Sequence, residues 1–339
     1  PVLKNPRLTI LDNTQVKNLI IKDKKITGIK IQNKSIEQII HLSHGAILCS
    51  GSIMTPYLLM HSGIGDKEHL KKFDKEIIID NSNVGRNLQD HLGLDYLFKT
   101  HHHSLNKSLG TWPGRITSVL KYIYNRKGPL SLSINQSGGY VNWNSKHHYP
   151  NLQIYFNPLT YSITHKNKRP LLKTDKFNGF IIGYNSCRPK SLGRVALNSP
   201  NFDDAPVIDP NFLSHEEDIY DVKCAINFSK VLANTNNIKK IRNESVTHDL
   251  LNATEEEMID HFKSNAVSIY HPCGTCKMDE DPKKGVVSER LKVHGMENLW
   301  IADASVFPNI TSGNINAPVM MLANLGSKFI IEDLKKFNL

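Results

Sequence analysis

The chain has 339 residues, 39% of them hydrophobic, enough for one large or two ordinary domains around a buried core. No apolar run approaches the ~20 residues of a membrane span, and no charged-then-apolar opening segment reads as a signal peptide. The net charge of +10 would suit an anionic partner, yet Lys, Asn and Ile are abundant throughout and the charge is not gathered into one long block; compositional bias is the simpler reading, and no nucleic-acid partner is expected.

In chain order, RLTIL, VKNLII and ITGIKI are short, rich in β-branched residues and separated by DNT and DKK turns, which predicts a three-stranded antiparallel meander. GAILCSG reads as a buried strand. TPYLLMHSGIG then predicts a helix with Thr55 as cap, Pro56 in its first turn, and Gly63 and Gly65 as its stop. From Leu92 to about Ser264, strands (NLQIYF, GFIIGY, GRVAL) alternate with helical stretches. ITSVLKYIYNR has apolar residues at helical spacing. EEDIYDVKCAINFSKVLAN and EEEMIDHFKSN predict two more helices, capped by Ser214 and Thr254. His101, His102 and His103 are adjacent, so they cannot all face one ion, and they read as solvated loop. The last region predicts loop, strand (NLWIADA), loop and a closing helix. The scheme is α/β or α+β, with the end of the chain expected to return to a core begun before residue 1.

The five cysteines, Cys49, Cys187, Cys224, Cys273 and Cys276, are odd in number and scattered, which argues against a disulfide framework. Cys273 and Cys276 form a lone CxxC in a loop. Zinc needs a second pair or histidines at ligand spacing, and none follows, so the pair reads as reduced and no metal site is expected. No GxGxxG lies between a strand and a helix anywhere in the chain. By itself the sequence therefore offers no complete dinucleotide site.

Two segments carry candidate chemistry: SIYHPCGTCKM, with Tyr270 and His271, and ADASVFPNITSGNINAPVMM, with Asp303, Asn314 and Asn316. Oxidising an alcohol requires removal of the hydroxyl proton and departure of a hydride from the same carbon. A neutral His suits the first task, and a second polar group should hold the oxygen as charge develops. His271 and Asn314 are the candidates. The same residues also suit an ordinary loop histidine before Pro272 and a turn residue in SGN.

GSIMTPYLLMHSGIG, VGRNLQDH, RPKSLGRVALNSPNFDDAPVIDPNFL, YHPCGTCKM and ADASVFPNITSGNINAP occur in this order along the chain. Together they resemble the signature and active-site segments of the glucose–methanol–choline family of FAD-dependent oxidoreductases, in its bacterial choline and alcohol dehydrogenase branch. The resemblance implies an incomplete Rossmann-like FAD-binding domain from residues 1–91 and 269–339, and a substrate-binding domain over 92–268 with an antiparallel sheet flanked by helices. His271 matches the catalytic histidine and Asn314 the second active-site position. Asp303 and Ala304 match the segment that touches the FAD pyrophosphate, and Asn316 and Pro318 the loop beside the flavin. Val16 matches a position at the adenine, and Gly51 the passage along the adenosine half. Tyr270 and Gln136 are the substrate-side candidates; Gln136 stands where choline-oxidising relatives usually carry a glutamate.

The implied activity is oxidation of a primary alcohol to an aldehyde with reduction of FAD, the electrons passing to an acceptor other than oxygen. Pro1 in place of Met, and the missing glycine-rich loop, lead to the expectation that the chain is the C-terminal part of a longer protein, cytoplasmic or membrane-peripheral. Two further readings stay open: a cyanohydrin lyase-like relative, and an inactive truncated product.

Overall fold

The computed structural model describes residues 2–166, 169–247 and 249–336. The chain forms two compact units, one of residues 1–90, 191–214 and 271–339, the other of residues 91–190 and 215–270.

The first unit opens with β1 (Thr14–Lys22), β2 (Lys25–Asn33) and β3 (Ile36–His41), an antiparallel meander. Asp23 and Lys24 both take positive φ in the two-residue connection between β1 and β2, the backbone that matches the twist of paired strands. RLTIL, the expected first strand, is unpaired, and Leu8, Ile10 and Leu11 are exposed. Its place is taken by IEQIIH, a mostly exposed edge strand with too weak an apolar alternation to stand out.

Next, β4 (Ala46–Leu48) leads into α1 (Gly51–His61). This helix starts four residues before the expected Thr55, so Pro56 lies inside it. Proline cannot donate to the carbonyl one turn earlier, which would orphan the Ser52 oxygen. The Thr275 hydroxyl donates to it instead, at 2.6 Å. Thr55 is fully buried, with its hydroxyl donating to Asp303. From Thr55 to His61 every residue of α1 is buried, which marks a core helix with no polar face. It ends at Ser62, with Gly63 at φ +84 turning the chain away. Then come β5 (Ile64–Gly65), α2 (Lys67–Lys71), β6 (Ile79–Asp80) and β7 (Arg86–Leu88).

The second unit contributes β8 (Leu92–Lys99), α3 (Leu105–Gly110), α4 (Trp112–Asn125), β9 (Ser137–Val141), β10 (Leu152–Asn157), β11 (Tyr161–Lys166), β12 (Arg169–Thr174) and β13 (Gly179–Ser186). The chain then re-enters the first unit with β14 (Gly193–Ala196) and β15 (Val207–Asp209). A single region from 92 to 268 was expected; 191–214 departs from it because β14 pairs with β7 and Val195 and Leu197 lie in the first unit's core.

Back in the second unit are α5 (Glu216–Ala233), α6 (Asn236–Ile241), α7 (Glu255–Asn265) and β16 (Val267–Ser268). His215, not Ser214, caps α5, its ring nitrogen accepting from the Glu217 amide. Thr254 and Glu257 form a reciprocal capping box on α7. The strands make a five-stranded antiparallel sheet in the order β16-β8-β13-β10-β9. Nearly all of β13 is buried, and Tyr184 stacks on Phe262 of α7.

The first unit closes with β17 (Leu299–Ile301) and α8 (Asn316–Lys336). β17 runs parallel to β4, so the C-terminal ends of both strands lie side by side. The meander and β17 share this unit, tied by the Asn298 side chain, which accepts from the Ile26 amide and donates to the Ile26 carbonyl. Exposed apolar surface is expected near Gly51 and Ile301; Ile301 itself is buried, and the exposure near them falls on Ile47 of the adjoining β4, with Met320 and Met321 exposed on α8.

Candidate active site

At the paired strand ends of β4 and β17, Asp303 acts as a clamp. Its Oδ2 accepts from the Gly51 amide at 2.9 Å and the Thr55 hydroxyl at 2.6 Å, and its Oδ1 from the Ser305 amide at 2.8 Å. The carboxylate thus fixes the start of α1 against the turn after β17. Gly51 has φ +78, and a Cβ built on it would meet nothing within 4 Å, so the backbone there faces open space. A ligand could approach the main chain closely, at the strand ends where open α/β sheets receive theirs. Ala304, next to the clamp, is buried.

The segment holding His271 is stitched to two others. Cys273 and Gln89 exchange both backbone hydrogen bonds. The Gly274 and Cys276 amides donate to the Ala304 and Ser305 carbonyls. The Gln89 side chain accepts from the Ile310 amide at 3.0 Å, so one residue holds both candidate segments. Asp90 accepts from the His271 amide at 2.9 Å and fixes the backbone beneath the ring. Ser52 of α1 donates to the Pro272 carbonyl at 2.8 Å.

This scaffold brings His271 and Asn314 together across 43 residues of sequence. Asn314 Nδ2 lies 3.2 Å from His271 Nε2. An amide N–H facing Nε2 requires that nitrogen to carry a lone pair, as in a neutral imidazole. His271 is buried, and burial lowers its pKa from the ordinary 6.5, which keeps the ring neutral at physiological pH. The pair therefore offers a proton acceptor and an amide donor side by side.

Asn316 begins α8 and is exposed, and Pro318, which has no N–H, sits half-buried in the first turn, where the Val319 amide donates to the Ile315 carbonyl. Val16 is half-buried on β1 beside a pairing irregularity between Val16 and Asn18. The CxxC thiols are free and buried; burial pushes Cys273 up to about 12 and also raises Cys276 well above the ordinary thiol value, so neither is poised as a thiolate.

Tyr270 and Gln136 belong to the second unit. Tyr270 is exposed. Gln136 directly precedes β9, its amide donating to the Phe156 carbonyl. Strand register puts Tyr155, Gly183 and Asp95 in one row across β10, β13 and β8, with Gly138 of β9 opposite Tyr155. Alternation places Gln136 on that same face. Burial holds the Asp95 carboxyl up at about 6, a residue that composition and motif gave no reason to single out. Gln89 and Asp90 were likewise missed as individuals, although the VGRNLQDH segment containing them stood out.

Two family profiles, both described as GMC oxidoreductase, match the chain, one over residues 1–93 and one over residues 189–323. An alcohol dehydrogenase (acceptor) from Pseudomonas putida is 32% identical over 333 residues, covering 97% of this chain and 59% of the relative. An oxygen-dependent choline dehydrogenase from Cronobacter sakazakii is 29% identical over 322 residues, covering 94% of this chain and 56% of the relative. The chain thus spans less than three fifths of these relatives. Among solved structures, a formate oxidase from Aspergillus oryzae superposes with a TM-score of 0.90 at 25% identity, over 99% of this chain and 63% of that one.

Proposed function

The chain belongs to the GMC oxidoreductase family, and from that premise we propose that it carries the proton-abstracting site of an FAD-dependent oxidation of a primary alcohol to an aldehyde. The observation that carries this reading is the 3.2 Å approach of Asn314 Nδ2 to the Nε2 of a buried, neutral His271. His271 takes the hydroxyl proton at Nε2. Asn314 supplies an N–H to orient the alcohol oxygen and to hold it as negative charge develops. Asp90 and Gln89 keep the two segments in register.

Gly51, Asp303, Ala304, Asn316, Pro318 and Val16 would hold FAD, and the open backbone at Gly51 together with the exposed Asn316 fits such a group. When bound, FAD supplies the acceptor for the hydride leaving the alcohol carbon. The likeness to an alcohol dehydrogenase (acceptor) supports a separate electron acceptor, which we take to be other than oxygen.

Neutral primary alcohols are the substrate class. Gln136 carries no charge to attract an ammonium group. The test is anaerobic mixing of the flavin-loaded enzyme with a panel of primary alcohols and choline, following flavin bleaching and aldehyde formation. Bleaching with aldehyde release is expected, with neutral alcohols giving the highest specificity constants. Cleavage without bleaching would overturn the alcohol-oxidation chemistry, and choline as the best substrate would overturn the Gln136 argument.

A further inference from the structure

The high amphipathicity of α4 points the wrong way for a core helix. Gly114, Ser118 and Tyr122, spaced four apart, form its inner side, next to α3. The opposite stripe carries Trp112 (76% exposed), Ile116 (53%), Leu120 (59%) and Ile123 (66%), flanked by exposed Val119 and Tyr124. A globular helix ordinarily buries such a stripe. A contiguous apolar face of this size marks an interaction surface.

Its setting identifies the partner. Between residues 96 and 174 there is no Asp or Glu, while there are eight Lys and three Arg. Composition alone left the positive charge without an address; here it gathers on one stretch of the second unit. Lys107, Arg115, Lys121, Arg126 and Lys127 are all exposed on or beside α4. An apolar stripe edged by cations, with a Trp at one end, is the arrangement that lies in a bilayer interface. A second copy of the chain would set this acid-free surface against its like, which mutual repulsion opposes. Nucleic acid would meet an apolar stripe where phosphates need donors.

We propose that α4 and its flanking basic residues dock the protein peripherally onto an anionic lipid bilayer, the apolar stripe entering the headgroup boundary. No helix among the described residues is long and apolar enough to cross a membrane, so this contact lies in the interface plane.

The test is flotation of the whole chain with vesicles of phosphatidylcholine alone and of equal phosphatidylcholine and phosphatidylglycerol. Binding to the anionic vesicles only is expected, with a blue shift of Trp emission from Trp112. Leu120→Ser with Ile123→Ser, and separately Lys121→Glu with Arg126→Glu, should each weaken partitioning by roughly tenfold or more at unchanged melting temperature. These side chains are exposed, so the fold should tolerate the changes. Wild-type protein that stays with the soluble fraction, or variants that float as well as wild type, would overturn the proposal. So would light scattering showing a dimer that the Leu120→Ser, Ile123→Ser variant dissociates while neither form binds vesicles.

Discussion

His61 and His271 are both buried histidines, and their surroundings give them different consequences. The His61 ring is packed edge-on to Tyr57 at 4.5 Å and beside Phe202 at 5.0 Å, and among the described residues its Nε2 has no hydrogen-bond partner. Burial, with a smaller contribution from Lys75, pushes its pKa from 6.5 down to about 4. Between those values the unfolded chain binds a proton that the folded chain refuses. The stabilisation is therefore complete above about pH 6.5 and is lost as pH falls toward 4, by at most about 3 kcal/mol. His61→Phe keeps the ring contacts and removes the proton. Its melting temperature should fall less than that of wild type between about pH 7 and about pH 5; parallel curves would refute the assignment. At this scale the sequence singled out His271 and Asn314 because they stand in recognisable segments, and their side chains lie 3.2 Å apart. Gln89 and Asp90 act through backbone amides of other segments, and nothing in their own identity announces that.

Among the elements, α1 shows where local signals are overridden. Thr55 followed by Pro56 is a good local start signal, and a helix beginning there would leave no carbonyl orphaned by the proline. The helix instead begins at Gly51, because Asp303 holds the Gly51 amide and Thr275 satisfies Ser52 from 223 residues away. A partner that distant leaves no trace in the local pattern. Thr275→Val, which keeps the shape and removes the hydroxyl, should lower stability by about 1–2 kcal/mol through the orphaned Ser52 oxygen. A urea midpoint unchanged from wild type would show that water or a shifted helix replaces the bond. By contrast, the α7 cap was readable because Thr254 and Glu257 lie three residues apart and satisfy each other. The first meander strand was misplaced because RLTIL has the right residue types but no partner, while IEQIIH has a partner and little apolar alternation.

For the whole molecule, the order of the five segments made the architecture legible, and strand pairing between distant stretches accounts for what was not. The β14–β15 hairpin belongs with β7, a pairing invisible in a continuous reading of residues 92–268. These 339 residues contain the open backbone at Gly51 and the exposed start of α8 but no GxGxxG loop to cradle a pyrophosphate. Expressed by themselves they should emerge from gel filtration with far less than one FAD per chain; yellow protein with stoichiometric flavin would contradict this. The central claim is that His271 accepts the proton as hydride leaves, and stopped-flow flavin reduction by a primary alcohol tests it most directly. In flavin-loaded enzyme, His271→Ala should slow reduction by roughly 100- to 10,000-fold, and Asn314→Ala by less, since it polarises without exchanging a proton. Because burial lowers the His271 pKa, the acid-side fall in wild-type reduction should be centred below the 6.5 of an ordinary imidazole. A folded, flavin-loaded His271→Ala enzyme that reduces at the wild-type rate would contradict the account.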